Sequence, residues 1–307
     1  ATLIIDEAYK DIMQAAGLGA DIIYFPRRAI NASGIIGKAG KAANFIAAIR
    51  KTRPALSIAV EGDKVSQRFL PLSSCEVSIG PDNRYCNNFT LKLPLRQTKH
   101  HVFYDYEVVS QEIAGTATPP RYVKLTASAQ APQALSCVLQ DKLPFPGNAY
   151  VILHPCATKD YKQWPTEYFA RVAEFLLAQR INVIATGAGE FDRATIEQLL
   201  KISHSPIVSV HDQLNLRQFI ALLTNATAFI GNDTGPTHLA ASCGIPTFAI
   251  FGPTDEFLWG PIGDNSTIAR SQVACEPSCL RRKCAENYRC MQTLLPETLI
   301  QKLNSCL

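Results

Sequence analysis

The stretch FIGNDTGPTHLAASCGIPTFAIFGPTD, residues 229–255, sets a polar, turn-forming GNDTGP between an apolar run and a helix pattern of small residues, with a second apolar run close behind. A short apolar run bounded by turn residues reads as a buried strand. Strand, turn, helix and strand in that order make a unit of a parallel sheet, where ligands bind beyond the carboxyl ends of the strands. Pro236 suits the first helical turn, Asp233 or Thr234 is placed to cap it, and Gly244 is the expected stop. N–H groups near Thr234, Gly235 and Thr237, at the positive end of the helix dipole, would cradle a phosphate or diphosphate. A well-capped structural turn would have the same sequence, and this stretch alone leaves both readings open.

Working outward, short apolar runs alternate with amphipathic helical patterns along nearly the whole chain, which predicts the α/β class with parallel sheets covered by helices. YVILHP, INVIATGAG, TAFIG and TFAIFG read as strands of one doubly wound half. Its helix WPTEYFARVAEFLLAQR puts Phe169, Val172 and Leu176 on one face. In the other half ATLIID, ADIIYF and ALSIAVEG read as strands, with a helix over GKAANFIAAIRKTRP stopped by Pro54 and another over HVFYDYEVVSQEIAG. A Pro/Gly-rich passage at 143–149 separates the halves. The expected domains are residues 1–146 and 147–307, with the last helix, from Pro296, free to return to the first.

At 307 residues two domains are expected. A hydrophobic content of 47% and a charged content of 18% describe a globular chain rather than a disordered or fibrous one. The net charge of +4 is mild; without a basic stripe and interleaved aromatics it predicts no nucleic-acid binding, yet it suits an acidic small molecule or a phosphorylated lipid surface. No apolar run reaches the roughly 20 residues that span a bilayer. With no secretory leader pattern either, a cytoplasmic protein is expected, its ten cysteines are read as reduced, and the sequon at Asn88 stays unused.

Around the opening turn three more side chains matter. A carboxylate such as Asp233 is repelled by a diphosphate unless it caps the helix or accepts hydrogen bonds from sugar hydroxyls. His238, within the first helical turn, would face the ligand or be hydrogen-bonded within the protein. Lys162, in the loop after YVILHP, is where a phosphate counter-charge is wanted, though a loop lysine is also often solvated.

In that order, HPCATKDYKQWPTEYFA, TGAGEFD and GNDTGPTHLAASCGIPTFAIFGPTD resemble the lipopolysaccharide heptosyltransferase family, bacterial glycosyltransferases of the GT-B fold. The resemblance is strong over the second half and loose before Ala149. It implies two Rossmann-like domains facing a cleft and an ADP-heptose donor held mainly by the second. Lys162 would contact the donor phosphates and Glu190 the ribose, while Asp233, Thr234, Gly235 and His238 would contact sugar and diphosphate. The implied acceptor is the inner core on lipid A, met by His101 and, more weakly matched, Lys99, Arg27 and Arg68, at the inner face of the inner membrane. Transfer would be inverting, in one displacement, with no metal and no cofactor. A relative that binds nucleotide sugar without turnover, and another GT-B enzyme such as a nucleotide-sugar epimerase, are the alternatives.

Family members open with a strand and a glycine-aspartate loop whose aspartate deprotonates the acceptor; this chain starts at what resembles the second strand, ATLIID. The first βα unit is therefore expected to be missing, or the base to be lost, and the catalytic base is unassigned. Asp6, Glu7, Glu61 and Asp63, at strand ends, are the acidic residues that could substitute. Finally, Cys275, Cys279, Cys284 and Cys290 fall in a basic segment, with C-x3-C-x4-C-x5-C spacing unlike the paired C-x2-C of common zinc sites. Free thiols, a disulfide and a metal knuckle are all open there.

Overall fold

The structure, a computed structural model, describes residues 2–58, 74–82, 90–94, 107, 110–111, 115, 123–128, 135, 138–139, 142–145, 149–273, 284 and 286–304. The chain divides into two compact units, Ala1–Arg121 and Tyr122–Leu307. Residues just before the expected boundary at 146/147 are tied to the second unit by hydrogen bonds. Leu125 N–H donates to Ser242 O at 2.8 Å, Lys142 Nζ to Gln213 Oε1 at 2.9 Å, and Phe145 N–H to Asn182 Oδ1 at 3.0 Å.

In the first unit β1 (Thr2–Asp6) and β2 (Asp21–Phe25) pair in parallel, with Asp6 beside Phe25. α1 (Lys10–Ala16) links them and ends on Gly17, whose φ of 60° is the left-handed conformation that glycine adopts without strain. α2 (Arg27–Asn31) and α3 (Ile35–Lys51) follow. α3 buries Phe45 and Ile49, one turn apart, against Phe25, the two rings meeting edge-on at 5.0 Å. It starts five residues before the expected Gly40, because Gly34 is extended and can serve as the N-cap. β3 (Leu56–Ile58), β4 (Val77–Asp82) and β5 (Leu91–Pro94) form a second parallel sheet in that order.

In the second unit the described elements run β6 (Tyr150–His154), α4 (Thr166–Ala178), β7 (Asn182–Ala185), α5 (Glu190–Ile202), β8 (Val208–Ser209), α6 (Leu216–Thr224), β9 (Ala228–Asn232), α7 (Gly235–Ser242), β10 (Thr247–Phe251), α8 (Glu256–Trp259), β11 (Ser266–Arg270), α9 (Arg289–Gln292) and α10 (Pro296–Asn304). The six strands are parallel in the order β11-β10-β9-β6-β7-β8. The chain thus winds outward from β6 to β8, returns to β9 beside β6, and winds outward again to β11. This is the expected doubly wound α/β sheet, and its winding reverses between β6 and β9.

Helices on both faces explain why β6, β9 and β10 are buried along their whole length and read as unbroken apolar runs. On α4 the predicted face of Phe169, Val172 and Leu176 is fully buried, each such side chain contributing about 1.5–3 kcal/mol. Trp164, also fully buried, donates Nε1–H to Leu294 O at 2.8 Å. α10 lays Leu299 and Leu303 into this same core and packs on α4. Among the described residues no helix is long and apolar enough to cross a membrane.

Candidate functional site

The strand pair at which the winding reverses delivers two loops to the same end of the sheet, residues 155–165 after β6 and 233–234 after β9. Asn232, the last residue of β9 and fully buried, stitches them together. Its Nδ2 donates to Pro155 O at 2.9 Å and its Oδ1 accepts from Trp164 N–H at 3.1 Å, so one amide grips both ends of the loop that carries Lys162. Its own carbonyl accepts from the hydroxyls of Thr234, at 3.3 Å, and Thr237. Gly231 is needed beside it, since an added Cβ would lie 2.7 Å from the Phe229 ring and 3.2 Å from Thr237 Oγ1.

Lys162 ends a 3-10 turn, Asp160–Lys162, and reaches across to the β9 loop. Its Nζ lies 2.6 Å from Asp233 Oδ2 and 3.3 Å from Asp233 O. The Asp233 side chain is only 4% exposed against 25% for Lys162, and Oδ2 is buried with no well-aligned hydrogen bond among the described residues. Charge alone holds that oxygen. The pair is close to neutral as it stands, so a diphosphate approaching this crevice gains the full lysine charge only when Lys162 leaves the carboxylate.

The capping expectation is corrected in part. Thr234 occupies the N-cap position, in extended backbone, and Pro236 lies in the first turn, but no side chain caps the helix: the Thr234 hydroxyl turns to Asn232 O and Asp233 pairs with Lys162. Thr237 N–H and His238 N–H both donate to Thr234 O, at 3.1 and 3.4 Å. That removes Thr237 from the expected cradle and leaves Thr234 and Gly235, the latter exposed at the helix start with an N–H that has no acceptor within the helix. Gly244 ends α7 at φ 77°, as its position in the sequence predicted, with the Lys124 side chain beside it at the negative end of the dipole. His238 is half-buried one turn into α7.

Glu190 sits elsewhere on the same edge, at the start of α5 after β7. Its side chain is 84% exposed and pairs with Arg193 at 3.0 Å. The turn before it is well fixed: Gly189 N–H donates to Asp212 Oδ1 at 2.7 Å, and Ala188 N–H to Asp192 Oδ2 at 2.9 Å. Beneath, His154 at the end of β6 is buried with Nδ1 3.1 Å from Thr186 Oγ1. Burial pushes its pKa down to about 4, against the opposing pull of the Asp192 carboxylate and the Thr186 hydrogen bond, so the ring is neutral at pH 7. Burial likewise pushes the Cys156 thiol up, out of its reactive range.

On the first unit Arg27 is ion-paired with Asp6, which also accepts from Ala8 N–H at 3.0 Å. An acidic candidate and a basic candidate therefore occupy one another. Lys99, His101, Arg68, Glu61 and Asp63 lie outside the described residues, as do Cys275 and Cys279; Cys284 accepts from Tyr288 N–H at 3.4 Å, and Cys290 is buried. Among the described residues no three His, Cys, Asp or Glu side chains gather as a metal site. Sequence reasoning missed Asn232, although a polar residue ending an otherwise apolar strand run was the available signal.

Residues 82–289 match glycosyltransferase family 9 (heptosyltransferase), a span that contains every described element of the sheet crevice. The lipooligosaccharide heptosyltransferase 2 of Campylobacter jejuni is 30% identical over 151 residues, 48% of this chain and 47% of that protein. The chain spans about half the length of such relatives. In fold, a glycosyl transferase family 9 structure from Veillonella parvula superposes with a TM-score of 0.82 at 16% identity, covering 99% of this chain and 87% of that one. The Escherichia coli heptosyltransferase WaaC with ADP gives 0.72 at 19%, covering 99% and 89%. The fold is thus the α/β fold of the GT-B heptosyltransferases, as the motifs around Lys162 and Asp233 implied, and the chain belongs to glycosyltransferase family 9.

Proposed function

We propose that this protein transfers a heptose from ADP-heptose to the inner core of lipopolysaccharide, working at the inner face of the inner membrane. The observation that carries the proposal is the Lys162–Asp233 pair, set where the sheet winding reverses and beside the start of α7. An ammonium group there, together with the Gly235 N–H, suits the phosphates of a nucleoside diphosphate sugar. The related proteins named above add the donor and acceptor: one is a lipooligosaccharide heptosyltransferase, another a heptosyltransferase structure with ADP.

The chemistry is a single displacement. An acceptor hydroxyl oxygen bonds to the anomeric carbon of the heptose as the bond from that carbon to the diphosphate breaks, with inversion. The hydroxyl proton passes to a general base and ADP leaves with the bonding electrons. Charge grows on the leaving diphosphate, where Lys162, released from Asp233, and the N-terminus of α7 stabilise it. Freed of the lysine, Asp233 can accept hydrogen bonds from the sugar hydroxyls. Asn232 keeps the Lys162 loop in place throughout, and Glu190 is the proposed ribose contact.

Thermal unfolding with and without ADP tests the donor site. ADP is expected to raise Tm, and Lys162→Ala to remove most of that rise. No stabilisation by ADP, or an undiminished one in Lys162→Ala, would refute the donor assignment. Release of ADP from ADP-heptose that depends on added lipid A core, with the product mass increased by one heptose, tests transfer itself.

A further inference from the structure

α3 begins before the core does. Its core-facing residues start near Lys41 and continue through Phe45 and Ile49, whereas residues 34–40 are all exposed. That overhang, GIIGKAG, carries two large apolar side chains in solvent, Ile35 at 88% and Ile36 at 90% exposure, with Lys38 as its only charge. Elsewhere on α3 the isoleucines and the phenylalanine turn inward, so the pair is not a by-product of a generally apolar helix.

Between Asp21 and Glu61 the sequence has seven basic residues and no acidic one, which leaves 23 basic against 26 acidic residues in the rest of the chain; three of the seven, Arg50, Lys51 and Arg53, lie at the far end of α3 from the overhang. Arg27 is held by Asp6, and Lys41 donates to Ala29 O and Ser33 Oγ. Arg28, on neighbouring α2, and Lys38 are exposed to solvent. Two bare isoleucines among cationic side chains form the pattern with which a peripheral protein inserts into an anionic lipid interface: apolar groups enter the acyl boundary while lysine and arginine meet phosphates.

We infer that the start of α3, through Ile35 and Ile36 with Lys38 and Arg28, docks this protein on a bilayer of anionic phospholipid. The inference rests on the reading that the acceptor is lipid-borne, and adds the element that makes contact. The charge complementarity selects this occupant. A second copy of the chain would bring the same positive charge to the same patch, and two side chains fall far short of the roughly 1,000 Å² that a stable protein interface buries. Nucleic acid would use the cations and leave the isoleucines in water.

Co-sedimentation of the full chain with phosphatidylglycerol-containing vesicles tests this against phosphatidylcholine vesicles. Anionic vesicles should bind at least tenfold better, and less so as salt rises. Ile35→Asp/Ile36→Asp should lower that binding at least tenfold, and Arg28→Glu/Lys38→Glu several-fold. All four sites are exposed, so each variant should keep the wild-type circular dichroism and the ADP-induced shift in Tm. Equal binding to both lipids, no binding to either, or undiminished binding by the isoleucine variant would overturn the inference. So would a dimer in sedimentation velocity that the isoleucine variant dissolves while vesicle binding stays. A missing ADP shift in the wild type would instead count against the donor reading and leave the docking result standing.

Discussion

Two loops at the same edge of the six-stranded sheet open helices with a glycine at or just before the helix start, and both were expected to hold donor. The loop after β9 is buried: Asn232 and Asp233 are almost without solvent contact, and their side chains reach across to the loop after β6. The loop after β7 is just as orderly in its backbone, yet its Glu190 stands in water, paired at the surface with Arg193. One loop is therefore a junction between elements distant in sequence, and the other a local turn. A ligand acting at the junction must rearrange charge already spent; at the local turn it meets a side chain with little to lose.

The largest effect should follow from breaking the junction. Asn232→Leu removes both amide bonds and leaves the Pro155 carbonyl and the Trp164 N–H buried without partners, at about 1–3 kcal/mol each. A loss of about 3–5 kcal/mol in urea unfolding is expected. A change below about 1 kcal/mol would mean that the amide does not hold the loops together. Next comes the charge. Lys162→Met strands the buried Asp233 carboxylate, and since Lys162 itself is partly exposed the loss should be about 2–3 kcal/mol, short of that for a fully buried pair. Adding Asp233→Asn should recover most of it, which the double-mutant cycle reads directly. Lack of recovery would show that Asp233 is stabilised by something other than the lysine.

The His154 ring gives the crevice a pH signature. Its folded pKa, about 4, lies below the ordinary 6.5, so between those values the unfolded chain binds more protons and stability falls as pH falls. At pH 5 the contribution lost is about 2 kcal/mol relative to pH 7.5. His154→Gln should flatten the slope of unfolding free energy between pH 7 and 5 by about that amount, after the common carboxylate background is subtracted. Parallel slopes in the two proteins would place the ring in contact with water.

The architecture was legible because both faces of the sheet are covered: a strand such as β9 has to be apolar throughout, and α4 has to show a face of Phe169, Val172 and Leu176. Gly244 was legible as a stop for a local reason, since only its own backbone had to be considered. The edge strands were not, because β8 is two residues long and β11, STIAR, is too polar to stand out. Nor were the partners of Asp233, Thr234 and Thr237. Local rules assign such residues to caps, and here acceptors and charges from Lys162 and the end of β9 compete successfully for them. Lys162, Asp233 and Thr234 could be singled out from their loops and from the motifs that carry the resemblance, but the hydrogen bonds and charges they meet are a long-range property.

The smallest effect on stability is expected where the comparison is sharpest. Glu190 contributes one exposed pair with Arg193, worth at most about 0.5 kcal/mol, so Glu190→Ala should leave urea unfolding nearly unchanged. Its proposed ribose contact makes the opposite demand on binding. An exposed carboxylate accepting from a ribose hydroxyl loses little on the way in, so removing it should weaken ADP severalfold, on the order of 1 kcal/mol by titration calorimetry. Full stability with weakened ADP would separate the two loops by function: the buried one organises the crevice and the open one reads the nucleotide. Full stability with unchanged affinity would leave Glu190 as a surface residue of α5 and confine the donor contacts to the junction of β6 and β9.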